Sequence, residues 1–308
     1  MSMLVKTRCL TFIIVAALCV GSELQFLLPT AEASIPALLP PSSSAAAVKS
    51  RLIVPGQDLQ VKTGKGVEKS RKLVVIIDDL GNDMGGTEEM LSLPVHLTVA
   101  VMPFLPTSRE DALRAHELGH DVLVHLPLEP KQGRPEWLGP GAILTRMTDA
   151  EVRQRVEAAI DQVPYAIGIN NHMGSKVTGD DRVMSVILEV CRERGLFFVD
   201  SKTNYRSVVG RLSMEKGLPQ LENHLFLDDL HTENHMAGQL RKAQQMLETR
   251  DNCVLIGHVG VHGRKSAAVL KKYIPILQAE GVEFIGIRQL AQEQISPGVS
   301  PGPGFTLP

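Results

Sequence analysis

The sequence predicts an α/β barrel of seven or eight parallel strands, and two observations carry this prediction. Between about Leu73 and Leu290, short apolar runs alternate with longer helical patterns, and no internal repeat is present. Such alternation is typical of a parallel sheet whose strands are joined by crossover helices. In addition, polar side chains follow many of the apolar runs at their C-terminal ends, on the face where parallel α/β barrels place their active sites.

Eight short apolar runs are candidate strands. Seven or eight strand–helix units suit a closed parallel barrel. The candidates are residues 73–78, 97–102, 121–126, 166–170, 196–200, 224–228, 253–258 and 282–287.

The helical segments between these runs have recognisable ends. Thr148 and Glu151 form a capping-box pattern before the helical sequence VRQRVEAAIDQV. Gly195 and Gly281 follow two further helical patterns, at the position where glycine commonly ends a helix. The helices are therefore expected to connect successive strands of a barrel domain over residues 71–291.

The N-terminus has the pattern of a secretory signal over residues 1–33. Lys6 and Arg8 precede an apolar run, and small residues follow at 31–34, where a signal peptidase would cleave. An uncleaved membrane anchor is the alternative, although the apolar run is short for a bilayer span of about 20 residues. The protein is therefore expected to be exported to the periplasm or the extracellular space.

Two further segments lack the apolar periodicity of a folded domain. Residues 34–70 are rich in Pro, Ser, Gly and Lys, and residues 292–308 are rich in Pro and Gly. Such composition predicts a flexible linker and a disordered tail on either side of the barrel.

The composition limits the classes of function. The 308 residues are 44% hydrophobic and 21% charged, which is enough to bury one sizeable core. A formal net charge of −2 without a basic cluster argues against a nucleic-acid partner, because phosphate contacts need a concentrated basic surface. Cys191 and Cys253 are the cysteines that follow the predicted signal, and they form either one disulfide or two buried thiols.

A zinc-protease pattern, HELGH, occurs at residues 116–120. Its two histidines can share a metal only when they project from one face of a continuous helix. Here Gly119 is expected to end the helix before the strand at 121–126. We therefore interpret His116 and His120 as residues of a solvated helix terminus, where histidine suits the negative end of the helix dipole.

Eight polar side chains lie at or just past the predicted strand ends. In a parallel barrel these ends meet on one face, so the residues are expected to share a site. His125 lies deep in its strand, and its proximity to an aspartate pair favours a metal-binding role. The residues are Asp78, Asp79, His125, Asn171, His172, Asp200, Asp228 and His258.

Several motifs resemble those of the polysaccharide deacetylases. The segment IIDDLG resembles their Thr-Phe-Asp-Asp-Gly motif, LGHDVLVH resembles the segment with their first metal histidine, and LIGH resembles their late Leu-x-His motif. Together with NNHMGSKVT, FFVDSKT and HLPLEP, the pattern is similar to the divergent polysaccharide deacetylase family from Leu73 to Leu290. The resemblance implies a distorted β/α barrel in a secreted protein.

The resemblance also implies roles for individual residues. Asp78 would act as the general base and His258 as the general acid. Asp79 and His125 would bind a divalent metal, with Zn²⁺ as the expected ion.

This chain departs from the usual deacetylase pattern at two places. Glu129 stands where a second histidine is expected, four residues after the first, and the Arg-x-x-Pro motif is absent. We infer that His172 supplies the third ligand, which leaves open whether Glu129 also reaches the metal. Asn171 lies next to the inferred ligand and is a further candidate for contacts with the site or the substrate.

Three other residues have two interpretations each. Asp200 would orient His258 or a ligand histidine by accepting its second ring proton, or would cap a turn. Asp228 could contact sugar hydroxyls, but we favour a turn residue. Trp137, the single tryptophan, could stack on a sugar ring, although packing against its own domain is the favoured interpretation.

The implied reaction is the removal of N- or O-acetyl groups from an acetylated cell-envelope polysaccharide. A divalent metal with open positions suits such hydrolysis, because it lowers the pKa of bound water toward about 7. Two alternatives remain open, namely a non-catalytic glycan-binding protein that retains the metal site, and a metal phosphoesterase. Contact with a membrane is expected only through an uncleaved signal anchor.

Overall fold

The computed structural model describes residues 71–295. The predicted signal and linker, and residues 296–308 of the predicted tail, lie outside the described residues. The last helix, Ile287–Gln294, continues three residues beyond the predicted end of the barrel at residue 291. No helix in the described range is both long and apolar enough to cross a membrane.

Nine strands pair in parallel to form one sheet. They are β1 (Lys72–Leu80), β2 (Thr98–Val101), β3 (Asp121–Leu128), β4 (Ala166–Met173), β5 (Phe197–Asp200), β6 (Leu221–Glu222), β7 (Leu225–Phe226), β8 (Asn252–His258) and β9 (Glu283–Ile285). Their order in the sheet is β6-β5-β4-β3-β2-β1-β8-β7, and β9 pairs with the beginning of β1. No pairing joins β6 to β7 among the described strands, so the sheet curls into an incompletely closed barrel.

The predicted barrel of parallel strands is confirmed. Each of the eight candidate runs contains a strand, although the run at 224–228 contributes only Leu225–Phe226. The prediction missed Leu221–Glu222, because a strand of two residues is too short to produce an apolar run.

Within residues 71–295, seven α-helices connect strands and an eighth follows β9. The capping box at Thr148 is confirmed, because its hydroxyl accepts from the backbone N–H of Glu151 and the Glu151 carboxylate accepts from the backbone N–H of Thr148. Gly195 and Gly281 have φ values of 70° and 81°, the left-handed conformation of a helix end. The helices are α1 (Thr87–Leu91), α2 (Ser108–Glu117), α3 (Asp149–Gln162), α4 (Asp181–Glu193), α5 (Val209–Glu215), α6 (Glu233–Thr249), α7 (Gly263–Ala279) and α8 (Ile287–Gln294).

The core has two apolar layers, one on each face of the sheet. Leu73, Val75 and Ile77 of β1 belong to the layer between sheet and helices, whereas Val74 and Ile76 belong to the layer inside the barrel. Successive side chains of a strand point to opposite faces, and here both faces are buried. This is why the strands appear in the sequence as continuous apolar runs.

Helix α8 closes the N-terminal end of the barrel. The backbone N–H of Ile287 donates to Thr98 Oγ1 at 3.0 Å, and that of Arg288 donates to Asp121 Oδ2 at 2.8 Å. Thr98 and Asp121 are the first residues of β2 and β3, and Leu290 packs into the interior layer. The C-terminal end of the barrel is therefore the end at which a site can form.

Cys191 and Cys253 are both buried and are not joined by a disulfide. Of the two possibilities, the structure thus has two buried thiols. Burial raises the pKa of both thiols, so little reactive thiolate forms near neutral pH.

Candidate active site

The site forms where the inward-facing rows of side chains reach the open end of the barrel. Because side chains alternate along a strand, an apolar interior row can continue into a polar residue at the strand end. In β1 the interior residue Ile76 is followed two residues later by Asp78, and in β8 Ile256 is followed two residues later by His258. Asp78 and His258 are direct partners in the pairing of these strands. In β3 the interior residue Leu123 is followed two residues later by His125.

Asp79 reaches the same site because β1 is irregular at this position. Adjacent residues of a regular strand face opposite sides. The pairing of β1 with β2 shifts register between Ile77 and Leu80, and Asp79 has a φ of 71°. A left-handed residue is uncommon outside glycine and is compatible with a β-bulge. The irregularity allows two consecutive carboxylates to serve one site.

Asp79, His125 and His172 converge from β1, β3 and β4. Asp79 Oδ1 lies 3.3 Å from His125 Nε2 and 3.1 Å from His172 Nδ1, and the two ring nitrogens are 3.1 Å apart. Ligands bound at about 2.0–2.2 Å from Zn²⁺ are separated by roughly 3.0–3.5 Å at angles between octahedral and tetrahedral. The three atoms are thus spaced to share one ion, and no other group of three such residues is found within residues 71–295.

The outer ring nitrogens of the two histidines have hydrogen-bond partners outside the ligand group. His125 Nδ1 lies 2.8 Å from Asn170 Oδ1, whose amide nitrogen donates to Asp78 Oδ1 at 2.8 Å. His172 Nε2 donates to the backbone carbonyl of Trp137 at 3.0 Å. With a metal bound, each ring would carry its proton on this outer nitrogen and would present the lone pair of the other nitrogen to the ion, as metal-binding histidines commonly do.

The electrostatics of this group also fit a cation. Asp79 Oδ1 is buried and makes no hydrogen bond, which is uncommon for a buried acceptor. Burial opposes ionisation of Asp79, but the His125 and His172 rings outweigh it and hold the pKa of this carboxyl well below its usual range. Burial likewise opposes protonation of His125, but Asp78 and Asp79 raise its pKa. Two carboxylates thus draw a positive charge to this position.

Asp78 lies beside the three ligand atoms without being one of them. It is 2% exposed, and Asn170 donates to its Oδ1. Its Oδ2 is 3.7 Å from His125 Nε2. Burial raises the pKa of Asp78, although His125 and His258 oppose that shift. One oxygen of a positioned carboxylate therefore remains able to accept a proton.

His258 is oriented by Asp228 and not by Asp200, for which orienting a histidine was one of two interpretations. Asp228 Oδ1 accepts from His258 Nδ1 at 2.7 Å, and Asp228 Oδ2 accepts from the His258 backbone N–H at 3.0 Å and from Ser266 Oγ at 2.7 Å. Our preference for Asp228 as a simple turn residue was therefore wrong. Burial opposes protonation of His258, but Asp228 and then Asp78 outweigh it and raise its pKa to about 9.

We expect the His258 imidazole of the metal-free protein to titrate near pH 9 in an NMR titration. Asp228→Asn should move this pKa down toward the ordinary value of about 6.5. Because the folded-state pKa lies above the unfolded value, the stabilisation from this pair is complete below about pH 6.5 and is lost as the pH rises through about 9. An unchanged His258 pKa in Asp228→Asn would show that another group raises it.

The three residues predicted to contact the substrate or the ligands have other hydrogen-bond partners. Glu129 accepts from Thr145 at 2.7 and 2.8 Å and from Lys176 at 2.7 Å, and it is not among the convergent ligands. In this structure Glu129 forms an ion pair with Lys176.

Asn171 and Asp200 support the loops around the site. Asn171 donates to the Met173 carbonyl at 2.7 Å and accepts from the Ser201 backbone N–H at 2.9 Å. Asp200 Oδ1 accepts from the Lys202 backbone N–H at 2.8 Å, which is the turn-capping interpretation of this residue.

Sequence reasoning missed Asn170 and the carbonyl of Trp137. Asn170 bridges Asp78 and His125, and it precedes His172 by two residues. That spacing places both side chains on one face of β4 and could have identified Asn170. No sequence signal identifies the Trp137 carbonyl, because a backbone acceptor carries no side-chain pattern.

The HELGH segment is no metal site in this fold. Helix α2 ends at Glu117, so His116 and His120 do not share a helix. His116 stacks on Tyr165, with ring centroids 3.8 Å apart. The prediction that His120 is solvated was wrong, because its ring is buried between the Leu97 backbone N–H at 3.2 Å and the Leu91 carbonyl at 3.1 Å.

We expect His120→Ala to lower the free energy of unfolding by about 1–3 kcal/mol, because it leaves two buried backbone groups without partners. His116→Ala, at an exposed position of the same motif, should cost less. Urea denaturation measures both, and metal content should be unchanged in both. Loss of bound metal in either folded variant would revive the protease interpretation.

The incompletely closed parallel barrel with a His/Asp group at its strand ends has the architecture that the polysaccharide deacetylase resemblance implied. Residues 75–291 match the divergent polysaccharide deacetylase family, and the chain belongs to this family.

Two relatives carry similar sequence. The chain is 34% identical over 187 residues to the uncharacterized protein YibQ of Escherichia coli, covering 61% of this chain and 58% of that protein. It is 33% identical over 187 residues to an uncharacterized protein of Haemophilus influenzae, covering 61% of this chain and 66% of that protein. The similarity thus spans less than two thirds of the length of either relative.

A solved structure has a similar fold. The uncharacterized protein ATU2773 from Agrobacterium tumefaciens C58 matches with a TM-score of 0.67 and 20% sequence identity, over 72% of this chain and 89% of that chain. At this identity the likeness concerns the fold alone.

Proposed function

We propose that this chain is a metal-dependent hydrolase that removes acetyl groups from a cell-envelope polysaccharide. The observation that carries the proposal is the convergence of Asp79 Oδ1, His125 Nε2 and His172 Nδ1 beside a carboxylate, Asp78, that is not itself a ligand. Membership of the family supports a polysaccharide as the substrate class.

Two imidazoles and one carboxylate would hold the metal, a donor set that suits Zn²⁺ in catalytic sites. When bound, such an ion supplies an acidified water and polarises the acetyl carbonyl. The outer hydrogen bonds to Asn170 and to the Trp137 carbonyl hold the two rings in orientation. These contacts support a preorganised site.

Asp78 acts as the general base in this proposal. Its Oδ1 is held by Asn170, so Oδ2 is the oxygen that takes the proton of the attacking water. Its burial favours the protonated form that results, because desolvation penalises the carboxylate.

His258 acts as the general acid on the neighbouring strand. Its Nδ1 faces Asp228, so Nε2 is the atom that gives a proton to the departing nitrogen or oxygen. A pKa raised to about 9 in the metal-free structure supports a ring that is protonated at neutral pH. An acid and a base on directly paired positions of β1 and β8 can thus act on one acetyl group.

We expect His258→Ala to slow acetyl compounds with poor leaving groups by about 10²–10⁴-fold, the usual contribution of a positioned acid. Activated aryl acetates should be affected much less, because their leaving group scarcely needs a proton. Paired kcat measurements on an N-acetyl sugar and an aryl acetate test this. Equal losses on both substrates would remove His258 from the role of acid.

We also propose that the protein acts outside the cytoplasm. The support is the signal pattern over residues 1–33 together with the envelope location of the proposed substrate.

The experiment that tests the proposed function follows two products in parallel. Zinc-loaded protein is incubated with acetylated glycans and with an aryl phosphate, and acetate and phosphate are measured with and without chelator. We expect chelator-sensitive acetate release, absent in His125→Ala. Phosphate release instead would indicate a phosphoesterase, and glycan binding without acetate would indicate a binding protein; either result overturns the proposal.

A further inference from the structure

We propose that a cavity beside the metal centre binds a carboxylate-bearing sugar of the polysaccharide, an inference that rests on the proposed function for the polymer itself. The cavity has a volume of about 570 Å³. It lies between the segment that follows β3, residues 129–147, and helix α3. Its charge, its apolar residues and its position relative to the metal ligands point to this occupant.

Four cationic side chains line the cavity, against one carboxylate. That carboxylate, Glu129, is already held by Lys176 and Thr145. Within residues 71–295 none of the four forms a direct salt bridge: Lys131 contacts an amide, Arg134 an aromatic ring and Arg155 a carbonyl. The exposed Glu151 carboxylate interacts electrostatically with Arg155 and Arg146, so the cations still outnumber the carboxylates around the cavity. The cations are Lys131, Arg134, Arg146 and Arg155.

Two other arginines near the cavity, in contrast, form salt bridges with carboxylates. Arg153, also on α3, pairs with Glu193 at 2.5 Å, and Arg182 pairs with Asp149 at 2.5 Å. A cluster in which cations outnumber carboxylates is electrostatically unfavourable by itself, but it raises the local concentration of an anion. Arginine in particular suits carboxylates, since its planar guanidinium can donate two parallel hydrogen bonds.

The cavity is also partly apolar. Leu138 is buried, and Leu144 and Met147 are half-buried, and all three line it. A sugar ring presents C–H groups on its faces and hydroxyls at its edge. A ring that also carries a carboxylate therefore matches both properties of the cavity, the apolar residues and the cationic side chains.

One loop connects the cavity to the metal centre. The Trp137 carbonyl accepts from the ligand His172, and the next residue, Leu138, lines the cavity. Trp137 itself is 58% exposed, with the Arg134 guanidinium 5.7 Å from its ring centroid. The prediction that Trp137 packs against its own domain does not describe this exposed ring. A polymer with one unit at the metal can thus place a neighbouring unit in the cavity.

The test compares two probes with the same sugar chain, an oligogalacturonate and its methyl ester, in which each carboxylate is replaced by an uncharged ester. Trp137 is the single tryptophan, so its fluorescence reports binding at this loop. We expect the acid to bind at least about tenfold more tightly than the ester at low salt, with the difference shrinking as salt is added. Arg146→Gln, alone and combined with Arg155→Gln, should remove most of that preference.

Arg241→Gln is the matched control, because Arg241 is on α6 and donates to Tyr273; its preference should equal that of the wild type. Equal binding of acid and ester, no binding of either, or an unchanged preference in folded Arg146→Gln would each overturn the proposal. The binding assay needs no turnover. A negative binding result would therefore not contradict the proposed deacetylase activity, and an absence of acetate release would not contradict a positive binding result.

Discussion

Alanine in place of His125 or His172 is expected to abolish the binding of one divalent ion per chain. Each substitution removes one of the three protein ligands, and the remaining two are too few to hold the ion. For the wild type, an ion at a free concentration 100 times its dissociation constant should stabilise the fold by about 2.7 kcal/mol. Metal analysis after dialysis, together with thermal unfolding with and without chelator, measures both effects.

His116→Ala is the control for these variants, because His116 is exposed and stacks on Tyr165 away from the ligands. It should retain the ion and the stabilisation by the ion. If His125→Ala and His172→Ala both keep one ion per chain, Asp79, His125 and His172 are not the metal centre.

Asp78→Asn should still bind the ion but should lose acetate release by about 10²–10⁴-fold, the usual contribution of a general base. Asparagine keeps the size of the side chain and can still accept from Asn170 through Oδ1, so the site should retain its geometry. It cannot take the proton of water. Initial rates and metal content, measured on one preparation, separate loss of the base from loss of the site.

Asp229→Asn provides a matched control, since Asp229 is exposed and pairs with His235. We expect it to leave acetate release unchanged. Turnover retained in Asp78→Asn would exclude Asp78 as the base.

The barrel and the ligand group were predictable because both depend on short-range patterns. Strands buried on both faces leave apolar runs, and the last inward-facing residue of such a run falls at the open end of the barrel. This reasoning placed Asp78, His125 and His258 together. Asp79 was placed with them because it follows the first predicted strand, and the family resemblance implied its role as a ligand, although regular alternation along the strand would have turned it away.

The hydrogen-bond partners of the functional residues were less predictable, because they depend on which strands are neighbours in the sheet. Asp200 and Asp228 both follow strands, and nothing in their local sequence says which one meets His258. The structure selects Asp228 because β7 lies directly beside β8 in the sheet, whereas β5 lies several strands away. The burial of His120 was missed for a related reason. Its ring contacts the carbonyl of Leu91 in α1, which is distant in sequence.

The most direct test of a metal-dependent deacetylase is acetate release while zinc is titrated into metal-stripped protein, with an acetylated glycan in excess. Acetate release should be negligible without the ion and should rise in proportion to bound zinc, reaching a plateau at about one equivalent, because one group of three ligands holds one ion. Acetate release that is independent of zinc, or no acetate release at one bound equivalent from any acetylated glycan, would contradict the account.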